Sequence, residues 1–137
     1  MVIRGERILG RYSIGDAIGS GGMGTVYEGF DELLARPVAI KVLRDEFAAD
    51  PAVLERFKRE AQIAAPLSHQ GITQVYDFAE SQDQSFIVME LLDGQDLHEM
   101  IAQRGKLEPT EAATIVAAAA EAIDHAHRAG VVHRDLK

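Results

Sequence analysis

Gly19-Ser20-Gly21-Gly22-Met23-Gly24-Thr25-Val26-Tyr27-Glu28-Gly29 can be read in two ways, and the choice decides the fold. A G-x-G-x-x-G cluster that opens a helix marks a dinucleotide-binding unit, with an acidic residue about twenty positions on. Asp45 and Glu46 stand near that distance. The residues after the cluster, Thr25-Val26-Tyr27-Glu28, are β-branched and aromatic instead, and they read as a strand. A crossover helix barely fits before Pro37, and Gly29 lies in its path. The segment is therefore read as a β-hairpin with a glycine-rich tip. Lacking a Cβ, such a tip adopts positive φ freely, where another residue is strained by about 1–2 kcal/mol. Its N–H groups can then approach phosphate oxygens. A plain flexible hairpin accounts for the same residues equally well.

Outward from the tip, residues 12–18 and 25–31 form the hairpin's strands. Residues 36–43 alternate and are β-branched, which predicts a third strand. Asp50-Pro51 is a helix start, with Asp50 as cap and Pro51 in the first turn. That helix runs to about residue 65, before Pro66, with Val53, Leu54, Phe57, Ala61 and Ala64 on one face. Residues 73–80 and 85–91 read as two further strands around a polar turn. The pattern then becomes helical over 95–103 and from Pro109 to about 129, with Gly130 as the stop. Ala112, Ile115, Val116, Ala119, Ile123 and Ala126 form the long helix's apolar stripe. The expected class is α+β: a five-stranded antiparallel sheet with one intercalated helix, then a helical segment. The division falls at 1–92 and 93–137.

The chain has 137 residues, no cysteine and a formal net charge of −8. An acidic balance argues against nucleic acid as a partner, because phosphate neutralisation needs clustered Lys and Arg. Arg56, Lys58 and Arg59 do cluster, and they read as a solvated helix face. Without cysteine there are no disulfides, thiolate chemistry or Cys-based zinc sites, which suits a reducing, cytoplasmic setting. Residues 1–11 carry charges and no apolar core, so they do not read as a signal peptide. The apolar run 112–120 is too short to span a bilayer. Any membrane tether is expected outside these residues.

Val38-Ala39-Ile40-Lys41 sets a lysine among apolar neighbours, where an unpaired ammonium is costly. Glu60 is its expected partner, on the helix face shared by Phe57 and Ala64, with Glu55 as the alternative. The stretch Ala129-Gly130-Val131-Val132-His133-Arg134-Asp135-Leu136-Lys137 follows the long helix. His125 and His127 point to different sides of that helix, which argues against a shared metal.

The glycine cluster, Val38-Ala39-Ile40-Lys41 and His133-Arg134-Asp135-Leu136-Lys137, in that order, resemble the protein-kinase superfamily. The resemblance runs from about Tyr12 to Lys137. It is closest to bacterial serine/threonine kinases in residues 19–29 and in Phe57-Lys58-Arg59-Glu60-Ala61. It implies phosphorylation of serine or threonine hydroxyls on protein substrates, using ATP and Mg²⁺. Gly19, Gly21 and Gly24 would cover the phosphates, while Lys41, held by Glu60, would meet the α- and β-phosphates. Ile18, Val26 and Ala39 would roof the adenine, with Met89 at the gatekeeper position. The Glu90 C=O and Leu92 N–H would bond the adenine edge, and Asp96, or else Asp93, the ribose. Asp135 would accept the substrate hydroxyl's proton, and Lys137 would contact the γ-phosphate. His133 would be structural, and Arg134 would normally meet a phosphorylated activation loop.

Two departures stand out. His69-Gln70-Gly71-Ile72 lacks the family's usual proline and asparagine between His and Ile. The family's catalytic-loop asparagine and Asp-Phe-Gly segment, which hold magnesium, do not occur after Lys137 in these residues. The 137 residues therefore read as the N-terminal part of a catalytic domain, inactive alone, with apolar surface exposed on the long helix and a tendency to aggregate. A regulatory ATP-binding module without catalysis and a small-molecule phosphotransferase are the competing readings.

Overall fold

The computed structural model describes residues 5–81 and 83–134. Asp135, Leu136 and Lys137, expected at the catalytic loop, lie outside the described residues. The chain divides into two compact units, Met1–Pro66 with Gln74–Leu91, and Leu67–Thr73 with Leu92–Lys137.

The first unit is a six-stranded antiparallel sheet. Its strands are β1 (Arg7–Ile8), β2 (Tyr12–Gly21), β3 (Gly24–Asp31), β4 (Arg36–Leu43), β5 (Val75–Ser81) and β6 (Gln84–Met89), in the order β1-β2-β3-β4-β6-β5. The sixth strand beyond the five expected is β1, which pairs Arg7 with Ser13 and Ile8 with Tyr12. Two residues are too few to show an alternating pattern, and the turn after it uses Leu9 and Gly10 at positive φ. A short helix, α1 (Asp45–Ala48), was likewise not expected; no side chain caps it. The next helix, α2 (Pro51–Ala64), begins as the sequence implies, with the Asp50 carboxylate accepting from Ala52 N at 2.9 Å.

Side chains alternate between the two faces of the sheet, and each face has its own core. On one, Tyr12, Ile14, Val38, Ile40, Val42, Phe86 and Val88 are buried together. On the other, Leu43 and Ile87 pack with Phe57 and Ala61 of α2. The helix is amphipathic because only those two positions, one turn apart, must be dry.

The second unit contains α3 (Leu97–Arg104), α4 (Pro109–Arg128) and the segment Leu67–Thr73. Leu67 and Ala122 are buried, and Gly71 lies so close that a Cβ there would be 2.9 Å from the Ala122 methyl. The expected α4 stripe holds at Ala112, Ile115, Ile123 and Ala126, which are half-buried, and fails at two positions. Val116 is 66% exposed and Ala119 is exposed, whereas Ala122, outside the predicted stripe, is the buried position. The alanine-rich sequence gives little contrast between faces, so contact with Leu67–Thr73 sets the buried line instead. No described helix is long and apolar enough to cross a membrane.

Candidate functional site

The glycine segment is a hairpin, not a helix start. Gly21 pairs with Gly24, leaving Gly22-Met23 as a two-residue turn. Gly22 has φ +51° and Met23 does not have positive φ, the pattern that demands glycine at the first turn position. Gly24 is needed for a different reason. A Cβ there would stand 3.1 Å from Cγ and Cε of Lys41 and from the Val42 carbonyl oxygen. The bare backbone of Gly24 therefore leaves room for the lysine stem. Gly19 and Gly21 have open space around them.

Register places the remaining residues of this face. Val26 lies opposite Lys41, and Ala39 lies opposite Met89. Ala39 is buried, while Val26 and Met89 are half-buried. Ile18 sits in the irregularity between Ala17 and Gly19 and is exposed. The Lys41 ammonium reaches Glu60 Oε1 at 2.7 Å, across from β4 to α2. Glu60, not Glu55, is therefore the partner. Lys41 is 20% exposed and Glu60 45% exposed, and the ammonium also stands 5.8 Å from the Phe57 ring centroid. Gly24, Val26, Ala39, Lys41, Glu60 and Met89 are thus gathered in the first unit.

The Glu90 backbone N–H donates to Gln74 O at 2.9 Å, and its carboxylate accepts from Gln74 N at 3.1 Å. These bonds fix the chain where β6 ends. Leu92 and Asp96 belong to the second unit. Asp96 caps α3 by accepting from Glu99 N at 2.7 Å, and Asp93 is exposed. Arg134 has φ +64°, a left-handed conformation uncommon for a residue with a side chain. Asp135 and Lys137 are outside the described residues.

Sequence reading missed a cluster on the opposite face of the sheet. The fully buried Asp31 accepts from Arg11 at 2.9 and 2.8 Å and from Leu33 N and Leu34 N. The Arg11 hydrogen bond, helped by those two amides, holds the Asp31 carboxyl at about 2, against burial, which opposes it. Tyr12 donates to Asp77 Oδ2 at 2.8 Å, and burial together with that bond pushes the phenol up to about 12. An Asp two residues before a loop is a turn signal, but nothing local indicates that Arg11 and Asp77 join it.

A protein kinase domain profile matches residues 12–137. The chain belongs to the protein kinase family. Among curated kinases it is 47% identical to the serine/threonine-protein kinase PrkC of Bacillus subtilis over 133 residues. That match covers 97% of this chain and 20% of PrkC. It is 41% identical to the serine/threonine-protein kinase PknA of Mycobacterium tuberculosis over 138 residues, covering 97% of this chain and 32% of PknA. The crystal structure of the M. tuberculosis PknI kinase domain superposes with a TM-score of 0.84 at 35% identity. That superposition covers 100% of this chain and 55% of the PknI chain. This kinase chain therefore spans a fifth to a third of those curated relatives and little over half of the solved domain.

Proposed function

We propose that this chain supplies the nucleotide-holding part of a protein serine/threonine kinase. The observation that carries the reading is the 2.7 Å contact of Lys41 with Glu60 beside the Gly22-Met23 tip. As a stabilising element the pair is worth little, since exposed ion pairs contribute about 0–1 kcal/mol. It does fix an ammonium below a turn rich in backbone donors, which is what a polyphosphate requires. The residues present fit ATP: Ala39 is buried, Val26 and Met89 are half-buried on the same face of the sheet, and Gly24 keeps the approach to Lys41 open. In this reading Ile18, Val26 and Ala39 cover the base, and the Glu90 carbonyl and Leu92 N–H meet its edge. Asp96 is assigned to the ribose and Gly19 and Gly21 to the phosphates. Lys41 binds the α- and β-phosphates.

Asp135 is assigned to hold the serine or threonine hydroxyl proton, and Lys137 to the γ-phosphate, both by family resemblance. Bound magnesium would neutralise the transferring phosphate. Among the described residues no three His, Cys, Asp or Glu side chains converge on a metal position, and no step is assigned to them. The 137 residues also contain no Asp-Phe-Gly triplet. We therefore expect this polypeptide alone to bind nucleotide without useful transfer, and robust magnesium-dependent phosphorylation by it would contradict that.

The test is calorimetric titration with ATP of the chain and of Lys41→Met. Losing one charged donor should weaken binding about tenfold. Equal affinities would remove Lys41 from the site and take the main support from the proposal.

A further inference from the structure

The tip of the glycine hairpin is gripped from outside the hairpin. Arg44, the first residue past β4, donates its backbone N–H to Met23 O at 3.0 Å. Its guanidinium also donates to the Gly22 carbonyl oxygen. The same guanidinium stands 5.2 Å from the Phe57-side neighbour Phe47, measured to that ring's centroid, and its Nε lies 3.3 Å from Glu46 Oε1. Arg44 is therefore held by α1 on one side while it holds two successive tip carbonyls on the other. The Met23 side chain packs against the Leu43–Phe57 cluster at the same place.

The consequence follows from peptide geometry. In a trans peptide the C=O and the N–H point in opposite directions, and no cis bond occurs among the described residues. Anchoring the Gly22 carbonyl to Arg44 therefore aims the Met23 N–H away from Arg44. Glycine at positive φ leaves that peptide plane cheap to rotate, so the tip needs an external constraint to keep one orientation. We propose that Arg44 is a positioning residue for nucleotide phosphates, pinning the Gly22–Met23 peptide so that its N–H is oriented before the ligand arrives. The inference rests on the nucleotide reading above and adds to it a residue outside the glycine motif. Preorganised donors bind without the ordering cost that a loose loop incurs.

The experiment compares the whole chain with Arg44→Ala, Arg44→Lys and, as reference, Lys41→Met. Amide hydrogen exchange without ligand reads the pin directly. Exchange at residues 22–24 should rise about three- to fivefold in Arg44→Ala, the scale of one exposed charged contact, with β4 and α2 amides unchanged. ATP should bind weaker by a similar factor, whereas adenosine, which has no phosphate, should bind the variant and the parent alike. Arg44→Lys, which keeps a donor, should recover most of both effects. Unchanged tip exchange alongside weaker ATP binding would mean that Arg44 meets phosphate directly and would overturn the pin. Equal losses for ATP and adenosine would reduce Arg44 to general stability and overturn it too. If the parent fails to prefer ATP to adenosine, or Lys41→Met binds ATP as the parent does, the nucleotide reading itself has failed. The exchange data would still show whether the tip is pinned.

Discussion

Gly29→Ala is the sharpest test of how the hairpin is built. Gly29 lies in β3 between Ile14 of β2 and Val38 of β4. A Cβ at this position would stand 2.6 Å from Ile40 Cδ1 and 2.7 Å from the Ser13 carbonyl oxygen. Favourable carbon contacts lie at about 3.5–4.0 Å, so both distances are clashes. The Ile40 methyl belongs to a flexible side chain, although Ile40 is fully buried and its neighbours leave it little freedom. The Ser13 oxygen is backbone within the β2–β3 ladder and moves only if the strand moves. Overpacking of this kind costs about 1–3 kcal/mol. Alanine recovers about 0.4–1 kcal/mol by restricting the unfolded chain. The clash wins, leaving a net loss of about 1–2 kcal/mol.

For a chain of this size that loss lowers Tm by about 4 °C per kcal/mol. Circular dichroism is the suitable assay, since the chain has no tryptophan to report by fluorescence. Gly19→Ala is the control, because a Cβ there meets nothing within 4 Å and the residue is not at positive φ. Its Tm should stay level or rise slightly. Adding Ile40→Val to Gly29→Ala removes one clashing atom and leaves the other, at an intrinsic cost of about 0.5–1.5 kcal/mol. No net rescue is therefore expected. A Gly29→Ala protein as stable as the parent, or complete rescue by Ile40→Val, would refute the claim that backbone crowding dictates this glycine.

Three further outcomes follow from the geometry. Glu60→Gln should shift Tm by little, since exposed pairs contribute about 0–1 kcal/mol, while measurably weakening ATP binding in the same preparation. A large Tm loss without a change in affinity would reverse the roles assigned to the pair. Asp31 titrates near 2 when folded, below its ordinary 3.8, so its stabilising effect is complete above the ordinary value and is lost as pH falls towards 2. Urea midpoints measured from pH 5 to 2 should therefore fall less steeply for Asp31→Asn than for the parent, and parallel slopes would count against the Arg11 bond as the cause. Asp50→Ala removes the acceptor for Ala52 N and Val53 N and should cost about 1 kcal/mol, read from the urea midpoint at pH 7.

The elements that were legible are those whose signals are local. Asp50-Pro51 announces α2 because cap and first-turn proline are adjacent in sequence. Glu60 could be named as the partner of Lys41 because the 3.6-residue period puts it on the helix face shared by Phe57 and Ala64, and Phe57 is buried against the sheet. What stayed hidden depends on distant partners. Asp31 is a turn residue until Arg11 arrives from the turn before β2, and β1 is too short to carry a period. Arg44 reads as one more surface charge because its acceptors are main-chain carbonyls, which a sequence does not distinguish.

The glycines show how a correct motif can hide more than one cause. Conformational freedom explains Gly22 alone among Gly19, Gly21, Gly22 and Gly24, for only Gly22 has positive φ. Gly24 and Gly29 are required by closeness instead, one to the Lys41 stem and the other to Ile40 and Ser13 O. Hairpin and lysine are therefore a single device. The missing side chain at residue 24 makes the space along which Lys41 reaches Glu60, and a substitution there should disturb the ammonium before it disturbs the turn. Gly24→Ala ought accordingly to weaken ATP binding while leaving amide exchange at Gly22 and Met23 unchanged, whereas Arg44→Ala is expected to weaken binding and to loosen the tip as well. If both variants loosen the tip equally, the two glycine causes have not been separated, and the motif acts through turn conformation after all.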